Sequence, residues 1–250
     1  METAVQLTGV KKAFGEKCIY DALDLAVRRG ETMAVIGPSG VGKSVLLKLI
    51  IGLHRVDAGR IVVGGVDVTS LPESELREVR RKVAMLFQGA ALFDSMSVGE
   101  NVAYGLYEHY HWPEEEVRAR VAECLEAVGL PGIEAMRPAD LSGGMKKRVG
   151  LARALAPGPE IILYDEPTTG LDPSNTRRIN ELINSLQARL GVTSIVITHD
   201  MESALAVADR VALLRERRIA LVVDSKEAES SPPVELERFM RGEDVDEQRP

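Results

Sequence analysis

A chain of 250 residues with 45% hydrophobic content can bury the core of one large α/β domain, or of a domain with an inserted lobe, which excludes disorder along the whole chain. A formal net charge of -7 works against a protein that must neutralise nucleic-acid phosphates, and two distant cysteines, Cys18 and Cys124, without a CxxC pattern argue against a zinc site or disulfide scaffold and for a reducing cytosol. The N-terminus shows no basic-then-apolar signal segment and no apolar run approaches the ~18 residues that span a bilayer, so any membrane role is expected to come through partner chains.

In chain order, Thr3 to Phe14 reads as a strand ending at Gly15, and Ile19 to Val27 continues it, which predicts a β-rich N-terminal flap. Phe14 stands beside the turn glycine, where it serves either core packing or a ligand. Met33, Ala34, Val35 and Ile36 are four apolar residues in a row, as in a strand buried on both faces. Gly37-Pro38-Ser39-Gly40-Val41-Gly42-Lys43-Ser44 follows, and then an apolar run on helical spacing. Strand, GxxxxGKS and helix together predict a nucleoside triphosphate site: backbone N–H groups converge on phosphate oxygens, Lys43 reaches the terminal phosphates and the Ser44 hydroxyl joins a magnesium shell.

Beyond the loop bracketed by Gly52 and Gly59, the stretch Arg60 to Val68 predicts a hairpin with its turn at Gly64-Gly65. Leu71 to Arg81 is helix-compatible, and its basic group, Arg77, Arg80, Arg81 and Lys82, reads as a solvated face. Val83 to Phe87 is a buried strand that ends at Gln88, a polar residue placed where α/β sheets present ligand contacts.

From about residue 90 to 155 helices dominate, as an inserted lobe would. Ser97-Val98-Gly99-Glu100 has capping-box spacing, Pro113 suits a first helical position, and Val117, Val121, Leu125 and Val128 form one stripe before Gly129. His109 and His111 lack acidic or cysteine partners at ligand spacing and read as exposed histidines. Ser142, Gly143 and Gly144 stand at a helix start, where N–H groups and a hydroxyl offer a second anion site. Ile161 to Tyr164 delivers Asp165 and Glu166 to a strand end, one to hold magnesium through water and one to polarise a hydrolytic water. Leu171-Asp172-Pro173 makes a sharp turn before an amphipathic helix over Ile179 to Leu190, and His199 follows the strand Thr193 to Ile197, placed to bond a terminal phosphate or orient the attacking water.

These motifs in this order (the phosphate loop, Gln88, LSGGM, IILYDEP, GLDP and ITHD) resemble the ATP-binding subunit of ABC transporters over roughly Val5 to Leu214. The resemblance implies a P-loop NTPase of the ABC ATPase type that hydrolyses ATP with Mg2+, built as one ATPase domain over residues 1–224. Two copies would sandwich ATP head to tail, each phosphate loop facing the partner's serine-glycine turn. It further implies that Phe14 stacks on adenine, Gln88 links the magnesium shell to the membrane subunits, and Ser142, Gly143 and Gly144 reach the opposite γ-phosphate. Asp165 would support magnesium, Glu166 act as general base, Asp172 communicate across the dimer and His199 act as the switch.

Met145 stands where the family usually has glutamine, and Val45 where it has threonine, so those two contacts do not carry over. With the segment from Phe87 to Met96 and His199-Asp200-Met201-Glu202, these departures resemble the Mla-type branch that works with MCE-domain transporters. That branch implies phospholipid transport between bacterial envelope membranes from the cytoplasmic face of the inner membrane. Its implied partners are a membrane permease, an MCE-domain lipid carrier and a small STAS-domain protein, with no nucleic acid. The alternatives are a transporter of another small solute, or a soluble ABC ATPase, which would usually show a coiled-coil insertion or tandem ATPase domains. Residues 225–250 turn acidic and offer a short helix with Leu236, Phe239 and Met240 on one side; that stripe is too small to be a core by itself and is expected to dock on another chain or the dimer mate, the alternative being a disordered tail.

Overall fold

A computed structural model describes residues 2–110 and 112–243, the side chain of His109 excepted, so the histidine reading at His109 and His111 falls outside the described residues, as does the acidic end beyond residue 243. The elements run β1 (Thr3–Phe14), β2 (Lys17–Arg28), β3 (Thr32–Ile36), α1 (Lys43–Ile50), β4 (Ala58–Val63), β5 (Val66–Asp67), α2 (Glu73–Lys82) and β6 (Val83–Leu86). Next come α3 (Val98–His109), α4 (Glu114–Ala127), a 3-10 turn (Pro138–Asp140), α5 (Gly143–Leu155), β7 (Ile161–Asp165), α6 (Pro173–Leu190) and β8 (Thr193–Ile197). The chain finishes with α7 (Met201–Val207), β9 (Arg210–Arg215), β10 (Arg218–Asp224), α8 (Ser225–Ser230) and α9 (Val234–Met240). These elements divide into two compact units, one formed by Met1–Leu71 with Ile195–Pro250 and the other by Pro72–Ser194. Among the described residues no helix is long and apolar enough to cross a membrane.

In the first unit, β2, β1, β4 and β5 form an antiparallel sheet in that order, which is the predicted flap. Its β4–β5 turn is Gly64-Gly65, both at positive φ (56° and 82°), as a two-residue hairpin turn that follows the strand twist requires. Behind it, β10, β9, β3 and β8 lie side by side in that order, with β3 parallel to β9. All five residues of β3 are buried, the physical counterpart of its unbroken apolar run.

The C-terminal helices correct the docking expectation. Leu236 is fully buried in a cluster with Ala34, Ile36, Ala204, Val211, Leu213, Val223 and Ala228, and Phe239 packs on the same cluster, so the stripe closes the core of its own unit. Only Met240, 46% exposed, is left outside it. A short apolar stripe looks too small for a core when counted alone, whereas here it completes one that the sheet and α7 have already begun.

In the second unit, β6 pairs in parallel with β7, so Gln88 and the Asp165-Glu166 pair follow strand ends that point the same way. The stripe residues Val117, Val121 and Leu125 of α4 and Val128 just past its end are buried, and α3, α4 and α5 pack together as the helical lobe. The capping box forms as read, with the Glu100 N–H donating to Ser97 Oγ (3.2 Å) and the Ser97 N–H to Glu100 Oε2 (2.6 Å). Three details differ. Pro113 is the residue before the first helical position of α4. Arg80 and Arg81 are half-buried rather than solvated, Arg81 lying over the Tyr110 ring at 5.9 Å. α6 starts six residues earlier than read, because Asp172 caps it and Pro173 occupies its first position, where a missing N–H costs nothing.

Candidate functional site

The first unit holds the phosphate loop. Gly42 has φ +109°, and a Cβ there would lie 2.5 Å from Ile19 Cγ2; a Cβ on Gly37 would lie 2.3 Å from the Leu214 carbonyl oxygen. Both glycines are therefore demanded by close approach. The Tyr20 hydroxyl donates to the Gly42 carbonyl at 2.6 Å, and burial pushes that phenol's pKa up, so it remains a donor. Lys43 is buried, its ammonium donating to the carbonyls of Gly37 (2.9 Å) and Pro38 (3.0 Å). Ser39 and Gly40 are exposed, while Pro38, Val41 and Ser44 are half-buried.

α1 has no side-chain cap and no acidic residue in its first turn. By contrast, Ser97, Ser142, Asp172 and Asp200 cap α3, α5, α6 and α7. A helix start built without its own oxygen or anion, behind a glycine loop, fits a phosphate. Phe14 is 44% exposed at the tip of the β1–β2 hairpin, edge-on to His54 at 5.2 Å with the Lys12 ammonium 5.0 Å from its ring. Much of the Phe14 side chain therefore remains in contact with solvent. His199 is exposed just beyond β8, which neighbours β3, and the next residue, Asp200, caps α7 by accepting from the N–H groups of Glu202 and Ser203.

The second unit holds the acidic pair and the serine-glycine turn. Gln88 is exposed two residues after β6, Asp165 is the buried last residue of β7, and Glu166 is half-buried at φ +50°. Thr169 Oγ1 donates to Glu166 Oε2 at 2.8 Å. The Lys147 ammonium donates to the carbonyls of Glu166 (3.1 Å) and Thr169 (2.9 Å); burial pushes its pKa down and the Glu166 charge opposes this. Ser142 Oγ accepts the Met145 N–H at 3.3 Å, so as an acceptor it already serves its own helix, and its O–H remains to donate. A Cβ on Gly144 would lie 2.8 Å from Asn175 Oδ1, and Asn175 donates in turn to Asp172. Asp172 accepts the N–H groups of Ser174 and Asn175, and the Asn175 backbone N–H, with its side chain, holds the Asp172 carboxyl below the usual range.

The segment after Gln88 is clamped at both ends. Ala90 and Ala91 adopt φ of 60° and 49°, and the Arg153 guanidinium donates to both carbonyls, at 3.0 and 2.7 Å. Asn101, with no exposure, accepts the Phe93 N–H and donates to the carbonyls of Phe93, Met96 and Ser97.

Of the residues predicted from sequence, Phe14, the Gly37–Ser44 loop and His199 lie in one unit, and Gln88, Ser142 to Gly144, Asp165, Glu166 and Asp172 in the other. Sequence reading missed Tyr20, Lys147, Thr169, Asn101 and Arg153. Tyr20 sits in an ordinary alternating strand, and Lys147 is the middle of three basic residues that look like a helix surface; neither carries a motif.

The family model described as "ABC transporter" matches residues 20–169. The methionine import ATP-binding protein MetN 2 of Rhodococcus jostii is 49% identical over 88% of this chain, which spans 65% of that protein's length. The intermembrane phospholipid transport system ATP-binding protein MlaF of Haemophilus influenzae is 43% identical over 92% of this chain and 87% of its own. Among solved structures, a dimeric post-hydrolysis state of the ATP-binding cassette MJ0796 bound to ADP and Pi superposes with a TM-score of 0.81 at 33% identity, over 88% of this chain and 98% of that one.

Proposed function

The chain belongs to the ABC transporter ATP-binding family and is an ATP hydrolase of that kind, and from this premise we propose that it powers the movement of phospholipids between the membranes of a bacterial envelope. The observation that carries the substrate is that relatives named for intermembrane phospholipid transport are 43% and 39% identical over 92% and 95% of this chain. The methionine importer is more similar in sequence, and this chain spans 65% of that protein's length. Its 49% identity keeps import of a small solute as the second reading.

In this proposal two copies close on ATP head to tail, as the dimeric relative suggests, with the phosphate loop of one copy facing Ser142 to Gly144 of the other. Phe14 stacks on the adenine. The loop N–H groups and the uncapped start of α1 hold the phosphates, and Lys43 leaves the Gly37 and Pro38 carbonyls to meet them. Ser44 in the first unit, and Gln88 and Asp165 in the second, each carry an oxygen donor of the kind magnesium takes, and bound magnesium would supply charge neutralisation of the phosphates. Glu166 accepts the proton of the attacking water, His199 senses the terminal phosphate, and Asp172 relays between copies. The Gln88 segment, fixed by Arg153 and Asn101, passes closure to a membrane permease, with an MCE-domain lipid carrier and a STAS-domain protein as further partners, at the cytoplasmic face of the inner membrane.

The test is purification of the full tagged chain from membranes with its co-purifying subunits, followed by reconstitution. ATP-dependent transfer of a fluorescent phospholipid between vesicles, lost in Glu166→Gln, supports the proposal. ATP-dependent methionine uptake without lipid transfer replaces it with the second reading.

A further inference from the structure

Lys147 joins two parts of the site that the motifs treat as separate. It lies on α5, the helix that opens with Gly143 and Gly144, and it is 7% exposed. Its ammonium bonds the carbonyls of Glu166 and Thr169, the two ends of the turn that follows β7. Glu166 sits at φ +50°, a region sparsely populated by residues that carry a Cβ, and its carbonyl accepts the Thr169 N–H within the turn (3.3 Å) as well as the Lys147 ammonium from outside it. Thr169 also donates its hydroxyl to the Glu166 carboxylate. Holding both carbonyls therefore fixes the separation between the Thr169 hydroxyl and the Glu166 backbone, and with it the direction in which the carboxylate points. As packing alone a buried ammonium is a poor choice, because desolvation opposes its charge. As a clamp it is well suited, offering three donors to a turn with two carbonyls to hold.

Resting on the reading of Glu166 as general base, we propose that Lys147 is a positioning residue for ATP hydrolysis: it clamps the 166–169 turn and thereby orients the Glu166 carboxylate. It does so from the helix whose start carries Ser142 to Gly144. A displacement of that helix start therefore reaches the turn that carries the base through the Lys147 side chain.

The experiment is steady-state ATP hydrolysis by the full chain as wild type, Lys147→Met, Lys147→Arg and Glu166→Gln, with thermal unfolding and ATP-binding titrations alongside. Lys147→Met should lower kcat by about tenfold or more while KM and affinity for ATP stay within about twofold, the pattern of a misaligned catalytic group. Lys147→Arg, which restores donors to both carbonyls, should recover kcat to within about threefold of wild type. A wild-type kcat in Lys147→Met, a parallel loss of ATP affinity, or failure of arginine to recover the rate overturns the proposal. If the methionine variant does not fold, Lys147→Gln is read against the same two criteria. Normal turnover by Glu166→Gln would remove the base assignment and this inference with it, whereas an inactive Glu166→Gln beside a normal Lys147→Met removes this inference alone.

Discussion

The Tyr20 hydroxyl reaches out of the β-rich flap to the Gly42 carbonyl, 2.6 Å away at the residue before α1, so the flap braces the phosphate loop as well as carrying Phe14. Tyr20 is 1% exposed, and its removal as a donor leaves that carbonyl without its phenol. Tyr20→Phe should lower stability by about 0.5–1.5 kcal/mol and weaken ATP binding severalfold, because the loop loses a brace and not a ligand. Denaturant unfolding and ATP titration of the same preparation check this; unchanged affinity would confine Tyr20 to packing.

The Glu31–Arg210 pair ties the turn before β3 to the start of β9. Arg210 Nη2 donates to Glu31 Oε1 at 2.6 Å and Nε to Oε2 at 3.1 Å, and the two side chains are 8% and 15% exposed. Arg210→Met strands a buried carboxylate and should cost about 3–5 kcal/mol, while adding Glu31→Leu should recover much of it, since the loss is mostly that of an unpaired charge. Unfolding of the single and double variants decides; equal losses would mean that the packing of the arginine stem matters more than its charge.

What the sequence made legible was local. The phosphate loop announced itself because its glycines, lysine and serine sit between an all-apolar strand and a helix, and the capping box at Ser97 because both partners lie within four residues. Wherever a side chain works through residues far along the chain, no local pattern marks it. Lys147 acts on carbonyls 19 and 22 positions away, and Arg153 on carbonyls 62 and 63 positions away. Asp172 was visible as a turn residue, but its hold on Ser174 and Asn175 was hidden because α6 begins with polar residues that show no apolar periodicity.

The C-terminal helix shows the same limit and gives a prediction. Leu236 contacts a cluster assembled from β3, α7, β9, β10 and α8, none of which its own seven-residue helix could reveal. Leu236→Ala should destabilise by about 2–5 kcal/mol, as truncation of a fully buried leucine does. Deletion after Ser231 should lower the thermal midpoint further, while nucleotide-dependent dimerisation of the protein that stays folded persists. Unchanged stability in both variants would return the helix to the role of a docking element.

Cys124 gives a pH dependence with a definite sign. It lies 2% exposed in α4, and burial pushes its thiol up from an ordinary value of 9.0 to about 11. Above pH 9 the unfolded chain releases this proton while the folded chain keeps it, so ionisation favours unfolding. The contribution is fully present below pH 9 and is lost as pH rises through about 11, with a slope of at most about 1.4 kcal/mol per pH unit. Denaturant unfolding at pH 8 and at pH 10.5 should show a smaller alkaline loss in Cys124→Val than in wild type, the tyrosines and lysines being common to both. The same burial should keep Cys124 unmodified by a thiol reagent at pH 8 while the half-buried Cys18 reacts. Equal alkaline losses in the two proteins, or labelling of Cys124 under native conditions, would mean that α4 opens far more readily than its packing against α3 and α5 allows.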